Sequence, residues 1–382
     1  MPKLAERDRC TGCTACAAVC PKNCIAMKFD AGGFCHPAID ESSCVGCGLC
    51  EKVCPVLNPV ALPHTPTAWA AWTGDDDSRM ASTSGGVFPE LARDVLAKGG
   101  AVFGAAYDEH FRVVHICAEK EQDLNRLRGA KYAQSDLGDS FRDVKRRLEG
   151  GQQVLFSGTP CQVLGLKAFL RKEYDNLLTA DLVCHSVPSP LAWEKYLQYI
   201  SGEKEIANVN LRCKDTGWSR YRYSNRFAFS DGSHRMDGSG DSLYMKLFVG
   251  GYITRPSCES CPAKGHARVS DLTLGDFRGI WNSHPELDDD RGVSLVLAQT
   301  EKGLAALGRL EKLAVTLEEA TRENSAVVRT AAPNPRRSEA MELVRKGRFE
   351  EAAALLPPPP THTTPSLLRR AVGLLKRKLW GK

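Results

Sequence analysis

Two groups of four cysteines with identical spacing lie within the first 54 residues of this 382-residue chain. Each group has the form C-x2-C-x2-C-x3-C and is followed directly by a proline. In this arrangement three thiolates of one group bind a cubane 4Fe-4S cluster, and the fourth binds the cluster held mainly by the other group. The sequence therefore predicts two 4Fe-4S clusters. We define site A as Cys10, Cys13, Cys16 and Cys54, and site B as Cys44, Cys47, Cys50 and Cys20.

Zinc sites and disulfides are the alternatives for these eight cysteines. Zinc usually binds C-x2-C pairs separated by longer gaps, and disulfides do not generate two identical tandem groups. The chain has 16 cysteines, no apolar segment near its N-terminus and no apolar run long enough to span a membrane. This pattern is typical of reduced thiols, so we expect a cytoplasmic protein without a signal peptide or transmembrane helix.

Four further cysteines could form a third metal site, which we call the central set. Cys161 follows an apolar strand and a Gly-Thr-Pro turn at residues 158–160, and it would begin a helix. A helix N-terminus lowers a thiol pKa and favours a metal thiolate, and it also suits a cofactor phosphate. A third cluster, a zinc knuckle at Cys258 and Cys261 and ordinary buried thiols all fit the spacing. The central set comprises Cys161, Cys184, Cys258 and Cys261.

A glycine pair in Ser84-Gly85-Gly86 opens a predicted helix over residues 87–97. Small residues at this position let backbone amides approach a phosphate closely. Many helices begin after Ser and Gly merely because these residues cap well. The loop does not fit the G-x-G-x-x-G fingerprint, so no Rossmann NAD site is predicted.

Alternating apolar strands and helical patterns between residues 68 and 335 predict a mixed α/β domain. Strands are predicted over residues 100–106, 154–157, 177–183 and 293–298, and helices over 87–97, 140–148, 163–170 and 191–200. The whole chain is expected to be an α+β or α/β multidomain protein with a small βαβ dicluster domain, a larger mixed α/β domain and a C-terminal helical tail. The predicted segments are a dicluster domain (1–58), a Pro-rich linker (59–67), the mixed domain (68–335), a helical hairpin (336–356), a Pro-rich spacer (357–365) and a basic amphipathic helix (366–382).

The net charge of +5 is concentrated at the C-terminal end of the chain. Residues 366–382 hold six Lys or Arg and no acid, which leaves 45 basic and 46 acidic side chains elsewhere. A neutral body argues against a nucleic-acid partner. A basic amphipathic helix with Trp380 near its end could contact the anionic inner membrane surface, where each basic residue contributes about 1 kcal/mol. A frayed C-terminus and a helix that docks on a partner protein are the alternatives.

Six separated motifs between residues 68 and 335 resemble the coenzyme F-420 hydrogenase/dehydrogenase beta-subunit family. The resemblance covers most of the chain beyond the dicluster domain, and its Gly-Thr-Pro-Cys-Gln block is highly specific. Members with an N-terminal bacterial-type dicluster ferredoxin domain are common in that family, so the two halves of the chain support each other. The motifs are residues 84–88, Lys131-Tyr132 with Ser135, residues 156–162, residues 181–185, Arg212 with Lys214, Gly217 and Trp218, and residues 273–277.

The resemblance implies a flavin-binding domain in which FAD lies beside a 4Fe-4S cluster bound by the central set. Asp276 is the least specific of the implied flavin contacts, because a Gly-Asp-Phe segment after a strand could equally form a turn. The positions implied as FAD contacts are Ser84, Gly85, Gly86, Lys131, Tyr132, Ser135, Gly158, Thr159 and Asp276.

His185 is the candidate catalytic residue, since it could donate a proton or hydrogen-bond beside the site. The chain departs from the family pattern at Ser186, where glycine is usual, and at Arg278, where an aromatic residue is frequent. Either change could alter the substrate pocket without disturbing the cluster or the flavin. Four remaining cysteines have no predicted partner and are interpreted as small, at least partly buried thiols, namely Cys24, Cys35, Cys117 and Cys213.

The expected function is oxidoreduction, with electrons passing between ferredoxin-type clusters and FAD. Clusters carry single electrons, whereas a flavin can also exchange a hydride with an organic substrate. The expected partners are a ferredoxin or another redox protein and a small two-electron substrate, either the deazaflavin coenzyme or another conjugated acceptor. The alternative is an electron-transfer subunit that only relays electrons to a partner enzyme.

Overall fold

The N-terminal cysteine-rich domain is a helix, a two-stranded hairpin and a second helix in chain order. The computed structural model of the protein describes residues 1–358. The predicted βαβ order is wrong, because the two strands are antiparallel and adjacent in the chain. The Asp30 carboxylate accepts from the Gly32 amide at 2.8 Å and from the Phe34 amide at 2.9 Å, which closes a tight turn, whereas parallel strands need a long crossover. The elements are α1 (Ala15–Val19), β1 (Ile25–Phe29), β2 (Cys35–Ile39) and α2 (Leu49–Lys52).

The centre of the molecule is an eight-stranded mixed sheet with the strand order β13-β3-β12-β11-β7-β6-β4-β5. Neighbouring strands β4, β6, β7 and β11 are parallel, and their carboxyl ends therefore lie at one edge of the sheet. The strands of this sheet are β3 (Thr67–Trp72), β4 (Ala101–Tyr107), β5 (Val113–Ala118), β6 (Val154–Gly158), β7 (Leu177–Leu182), β11 (Leu272–Asp276), β12 (Ser294–Ala298) and β13 (Glu311–Val315).

A second, three-stranded antiparallel sheet has the order β10-β9-β8. Its strands are β8 (Ile206–Cys213), β9 (Ser224–Phe229) and β10 (His234–Gly238). Aromatic side chains from this sheet and from the helices packed on it share one core, which includes Trp193, Tyr196, Phe227, Tyr244 and Phe349. The two helices of the predicted hairpin belong to this core and pack on the helices that begin at Pro190 and Leu243.

The predicted strands and helices of the mixed domain are confirmed, with ends that differ by a few residues. Helix starts coincide with capping residues, as at Thr159 and Ser189, each of which is followed by a proline that fits the first helical position. The remaining helices are α3 (Asp76–Met80), α4 (Val87–Leu96), α5 (Leu124–Leu127), α6 (Ser140–Glu149), α7 (Pro160–Leu170), α8 (Pro190–Ser201), α9 (Leu243–Val249), α10 (Ile280–Ser283), α11 (Glu301–Ala306), α12 (Leu317–Arg322), α13 (Arg337–Arg345) and α14 (Phe349–Ala353).

The structure therefore has the expected mixed α/β multidomain architecture with a small N-terminal domain and a large mixed sheet. The predicted basic helix at 366–382 and most of the Pro-rich spacer lie outside the described residues. Across residues 1–358, none of the helices combines the length and the apolar character needed to cross a bilayer.

Candidate metal and cofactor site

The structure brings the eight N-terminal cysteines together in the two predicted sets. The four cysteines of site A line one space of about 370 Å³, and the four cysteines of site B line another of about 330 Å³. Cys54 completes site A from the second group, and Cys20 completes site B from the first, as the crossed ligation pattern requires. Cys47 of site B is exposed, whereas Cys50 is buried.

The thiols of site A are in an environment that disfavours an unpaired thiolate. Burial raises the pKa of Cys13 to about 11, and the neighbouring Cys10 adds to the effect. Burial also raises the pKa of Cys16 well above its usual range, with contributions from Cys13, Cys10 and Cys54. A soft metal centre would supply the positive charge that lets these sulfurs bind as thiolates, so the donor set fits an iron-sulfur cluster.

The spacing of these side chains differs from that around a single metal ion. Among residues 1–358 no three His, Cys, Asp or Glu side chains meet as closely as the ligands of one ion do. A cubane cluster binds its four cysteines through different irons, so its thiolates need not meet at one point.

The four cysteines of the central set also converge, although they come from three separate segments. Cys161 lies in the first turn of α7, where the Thr159 hydroxyl is 3.2 Å from its sulfur. Cys184 follows β7, and Cys258 and Cys261 lie in and directly after a short 3-10 helix over Pro256–Ser260. Burial raises the pKa of Cys161, and the other three cysteines raise it further.

Two cations accompany the central set. Lys264 donates to the backbone carbonyls of Cys184 and Ala326. Arg268 is buried and forms an ion pair with Asp181 at 3.4 Å. Burial raises the pKa of Cys184 to about 12, and the charges of Lys264 and Arg268 oppose this rise. The two cations would therefore stabilise negative charge on the sulfurs of the central set.

Three of the implied flavin positions lie in the loop between α5 and α6, close to the carboxyl edge of the sheet. Lys131 donates to the Arg128 carbonyl at 2.6 Å, and its ammonium nitrogen is 5.8 Å from the centre of the Tyr107 ring at the end of β4. Burial lowers the pKa of Lys131 to about 7. The Ser135 hydroxyl accepts from the Gln162 amide at 2.8 Å, which links this loop to the residue after Cys161.

Asp276 ends β11 at the same edge of the sheet, and its carboxylate forms a buried ion pair with Arg212. The Arg212 guanidinium carbon is 4.3 Å from the centre of the Tyr223 ring, and one terminal nitrogen is 3.4 Å from the Tyr132 hydroxyl. The Nε atom of Arg212 is buried without a hydrogen-bond partner among residues 1–358. Asp276 therefore holds a cation at this edge, and that cation has an unused donor.

The Ser84-Gly85-Gly86 loop reaches the same edge through the antiparallel neighbour of β11. Ser294 of β12 pairs with Asp276 in the sheet, and its hydroxyl accepts from the Gly85 amide at 2.9 Å. Lys214, two residues after Arg212, donates to the Ser84 carbonyl at 2.7 Å. Gly158 and Thr159 end β6 and begin α7, so the structure brings all nine implied flavin positions to one edge of the sheet.

His185 lies beside the central set, and its ring meets the Phe248 ring edge-on at 5.6 Å between centroids. Burial lowers the pKa of His185. Ser186 does not adopt a left-handed backbone conformation, so its replacement of glycine introduces no backbone strain. Arg278 is exposed, with its guanidinium 5.6 Å from the centre of the Tyr221 ring.

Sequence reasoning missed several side chains that organise this region, including Gln134, Lys264 and Arg255. It also interpreted Cys24 as a thiol without a partner, whereas its sulfur lies 3.4 Å from that of Cys20 in site B. The four-residue spacing of Cys20 and Cys24 was the available signal for this contact. Neither Gln134 nor Arg255 stands in a motif that marks its role.

Comparison with known proteins matches two parts of the chain to described families. Residues 151–323 match the family described as the C terminus of the coenzyme F420 hydrogenase/dehydrogenase beta subunit. Residues 9–58 match the 4Fe-4S dicluster domain. A chain of the F420-reducing [NiFe] hydrogenase complex from Methanosarcina barkeri is similar in structure, with a TM-score of 0.48, 15% sequence identity and coverage of 76% of this chain and 91% of that chain. No curated protein matches the sequence.

Proposed function

Because the chain belongs over residues 151–323 to the coenzyme F420 hydrogenase/dehydrogenase beta-subunit family, behind a 4Fe-4S dicluster domain, we propose that it is an iron-sulfur flavoprotein oxidoreductase. It would pass electrons between ferredoxin-type clusters and FAD and exchange a hydride with a two-electron substrate. The clusters would supply single-electron steps, and the flavin would join these to the two-electron step. The substrate would be the deazaflavin coenzyme or another conjugated acceptor.

The convergence of the central set at the carboxyl edge of the sheet is the observation that carries this proposal. Four cysteines from three segments meet beside two cations, and they lie next to the loops that hold the implied flavin positions. In parallel sheets ligands bind at this edge. A third 4Fe-4S cluster bound by Cys161, Cys184, Cys258 and Cys261 would thus adjoin the flavin.

The packing of the N-terminal domain supports an order for the three metal sites. Helix α1, within site A, packs on α7, whose first turn carries Cys161. In site B, by contrast, Cys47 is exposed to solvent. Site B would therefore exchange electrons with an external redox protein such as a ferredoxin, and site A would connect it to the central set.

The side chains around the flavin positions support binding of a polar, anionic cofactor. Lys131 forms no ion pair with a carboxylate among residues 1–358, and Arg212 keeps an unused buried donor at Nε. Both cations face the carboxyl edge, where Gln162 ties the Ser135 loop to α7. These residues would orient the cofactor and exclude water from it.

Anaerobic purification followed by iron and flavin quantification tests the proposal. About twelve irons and one FAD per chain are expected if three clusters are present. A Cys161→Ser variant should lose about four irons, whereas Cys117→Ser should lose none, since Cys117 lies in β5 beside Arg147 rather than in a cysteine set. About eight irons without flavin would contradict the flavoprotein proposal and leave the dicluster domain intact.

A relay subunit is the second candidate, and the exposed position of Cys47 favours it, because such a surface suits exchange with a protein partner. In this case the chain would pass electrons to a separate catalytic enzyme without a substrate of its own. Turnover of deazaflavin or another conjugated acceptor by the isolated chain would exclude the relay. Stable co-purification with a larger catalytic subunit, with no turnover by the chain alone, would support it.

A further inference from the structure

Arg255 is among the largest fully buried side chains of the described structure, with 1% of its surface exposed. It precedes the Cys258 and Cys261 pair of the central set, and its carbonyl accepts from the Cys258 amide at 3.1 Å. Its backbone amide donates to the Val187 carbonyl at 2.8 Å, which anchors it to the segment after Cys184. The backbone of Arg255 is therefore part of the central set.

The side chain of Arg255 reaches in the opposite direction, into the N-terminal domain. Its Nε donates to the carbonyl of Cys10 in site A at 2.8 Å, and one terminal nitrogen donates to the Cys35 carbonyl at 2.9 Å. The guanidinium carbon is 5.4 Å from the centre of the Phe34 ring. A Cβ at Gly12 would lie 3.0 Å from a terminal nitrogen of Arg255, so glycine at this position leaves room for the guanidinium.

Arg255 carries a buried charge without a carboxylate partner. Its remaining contacts are the Gln134 side-chain oxygen at 2.7 Å and the His36 ring at 3.4 Å, and it forms no ion pair with Asp or Glu among residues 1–358. The nearest acid along this chain of contacts is Asp30, which bonds the far side of His36 at 3.1 Å. A buried cation needs a compensating negative charge.

We propose that Arg255 is the shared counter-ion of site A and the central set, and that it raises the reduction potentials of the clusters bound there. Four thiolates bring to each cluster more negative charge than its iron-sulfide core neutralises, and each reduction adds one more. A fixed positive charge between two such centres stabilises their reduced states. The statement about the central set rests on the function proposed above, whereas the statement about site A rests on the dicluster domain alone.

Arg255→Gln tests the proposal in the full-length protein purified anaerobically. Cluster potentials are measured by redox titration monitored by electron paramagnetic resonance, and iron is counted in every sample. We expect Arg255→Gln to move the potential of site A to more negative values and to leave site B nearly unchanged. A Cys47→Ser variant, which alters one ligand of site B only, assigns the two N-terminal signals.

Arg142→Gln is the matched control for a general loosening of the domain contact. Arg142 also donates to backbone carbonyls of the N-terminal domain, at Ala17 and Ala18, both at 3.0 Å, but its side chain is 39% exposed. We expect this variant to leave the site A potential unchanged. Equal shifts in both variants would overturn the proposal, because they would reflect loosened packing rather than the loss of a buried charge.

Asp30→Asn provides an independent test of opposite sign, should Arg255→Gln lose its iron. Asparagine keeps the acceptor that caps the turn but removes the negative charge linked to Arg255 through His36. The site A potential should then move to more positive values, and an unchanged potential would overturn the proposal. If only eight irons are found, site A still decides the role of Arg255, while the central cluster of the proposed function fails separately.

Discussion

Cys13 of site A packs directly against Gly165, which lies one helical turn after Cys161 in α7. A Cβ at Gly165 would be 2.7 Å from the Cβ of Cys13 and 2.9 Å from its sulfur. Four helical residues correspond to a rise of about 6 Å, so one face of α7 carries both a central cysteine and the contact with site A. The two metal sites are therefore joined by a single rigid element rather than by a flexible linker.

Gly165→Ala should weaken this contact, because the added methyl group overlaps Cys13. We expect a loss of about 1–3 kcal/mol in the free energy of unfolding, typical of overpacked cores. Denaturant unfolding measures the loss. Gly240→Ala is the control, since a Cβ there has no neighbour within 4 Å. Equal stability of the two variants would contradict close packing of Cys13 on α7.

Lys131 should make the stability of the protein depend on pH. Burial lowers its pKa to about 7, so the folded state releases this proton well below the usual lysine range. Between that pKa and the unfolded value the unfolded chain binds more protons, and stability therefore rises with pH in this window, by at most about 1.4 kcal/mol per pH unit. The contribution of Lys131 should be least favourable below pH 7 and should improve above it.

The comparison with Lys131→Met isolates this contribution from the cysteines that also titrate. Denaturant unfolding at several pH values between about 7 and 10 should show a smaller rise in stability for Lys131→Met than for the wild type. Lys145→Met, on the outer face of α6 with its side chain 38% exposed, should follow the wild type. Parallel curves for the wild type and Lys131→Met would refute the assignment.

The elements that sequence reasoning recovered are those whose local pattern matches their burial. The strands β6 and β12 are apolar runs with largely buried side chains, and α7 begins with a capping box at Thr159 and Gln162. The cysteine spacing of sites A and B encodes its own geometry, because the ligand pattern is set within a few residues. Such local signals could be interpreted without knowledge of the fold.

The elements that it missed depend on partners distant in sequence. Strand β8 is polar along much of its length, and β13 is largely exposed, so neither forms an apolar run. The βαβ order was wrong because the turn at Asp30 was not recognised. The contact between Arg255 and Cys10 joins residues 245 positions apart, and no spacing rule marks an arginine whose role is set by tertiary packing.

Asp276→Asn should destabilise the protein strongly, because it leaves the buried guanidinium of Arg212 without its charge partner. Breaking a buried ion pair from one side costs about 3–5 kcal/mol. Asp231→Asn is the control, since Asp231 pairs with Lys204 while about half of each side chain is exposed, and exposed pairs contribute roughly 0–1 kcal/mol. Denaturant unfolding of both variants gives the comparison, and similar losses would contradict a buried Arg212.

Cys24→Ala should change the reduction potential of site B while its four ligands remain in place. The Cys24 sulfur is 3.4 Å from that of Cys20, and either thiol can donate to the other. When Cys20 binds a cluster as a thiolate, Cys24 becomes the donor. Hydrogen bonds to cluster sulfurs stabilise the reduced state, so removing this donor should move the site B potential to more negative values.

Redox titration of the full-length protein, with iron counted in each sample, measures this shift. Cys213→Ala removes an equally buried thiol in β8 that lies near Asp215 and Arg226 rather than a cluster, and it should leave both N-terminal potentials unchanged. An unaltered site B potential in Cys24→Ala, with all irons retained, would mean that Cys24 does not donate to Cys20. A shift in site A instead would place the effect of Cys24 in the packing of the whole domain, since Cys24 shares a small core with Ile25 and Cys50.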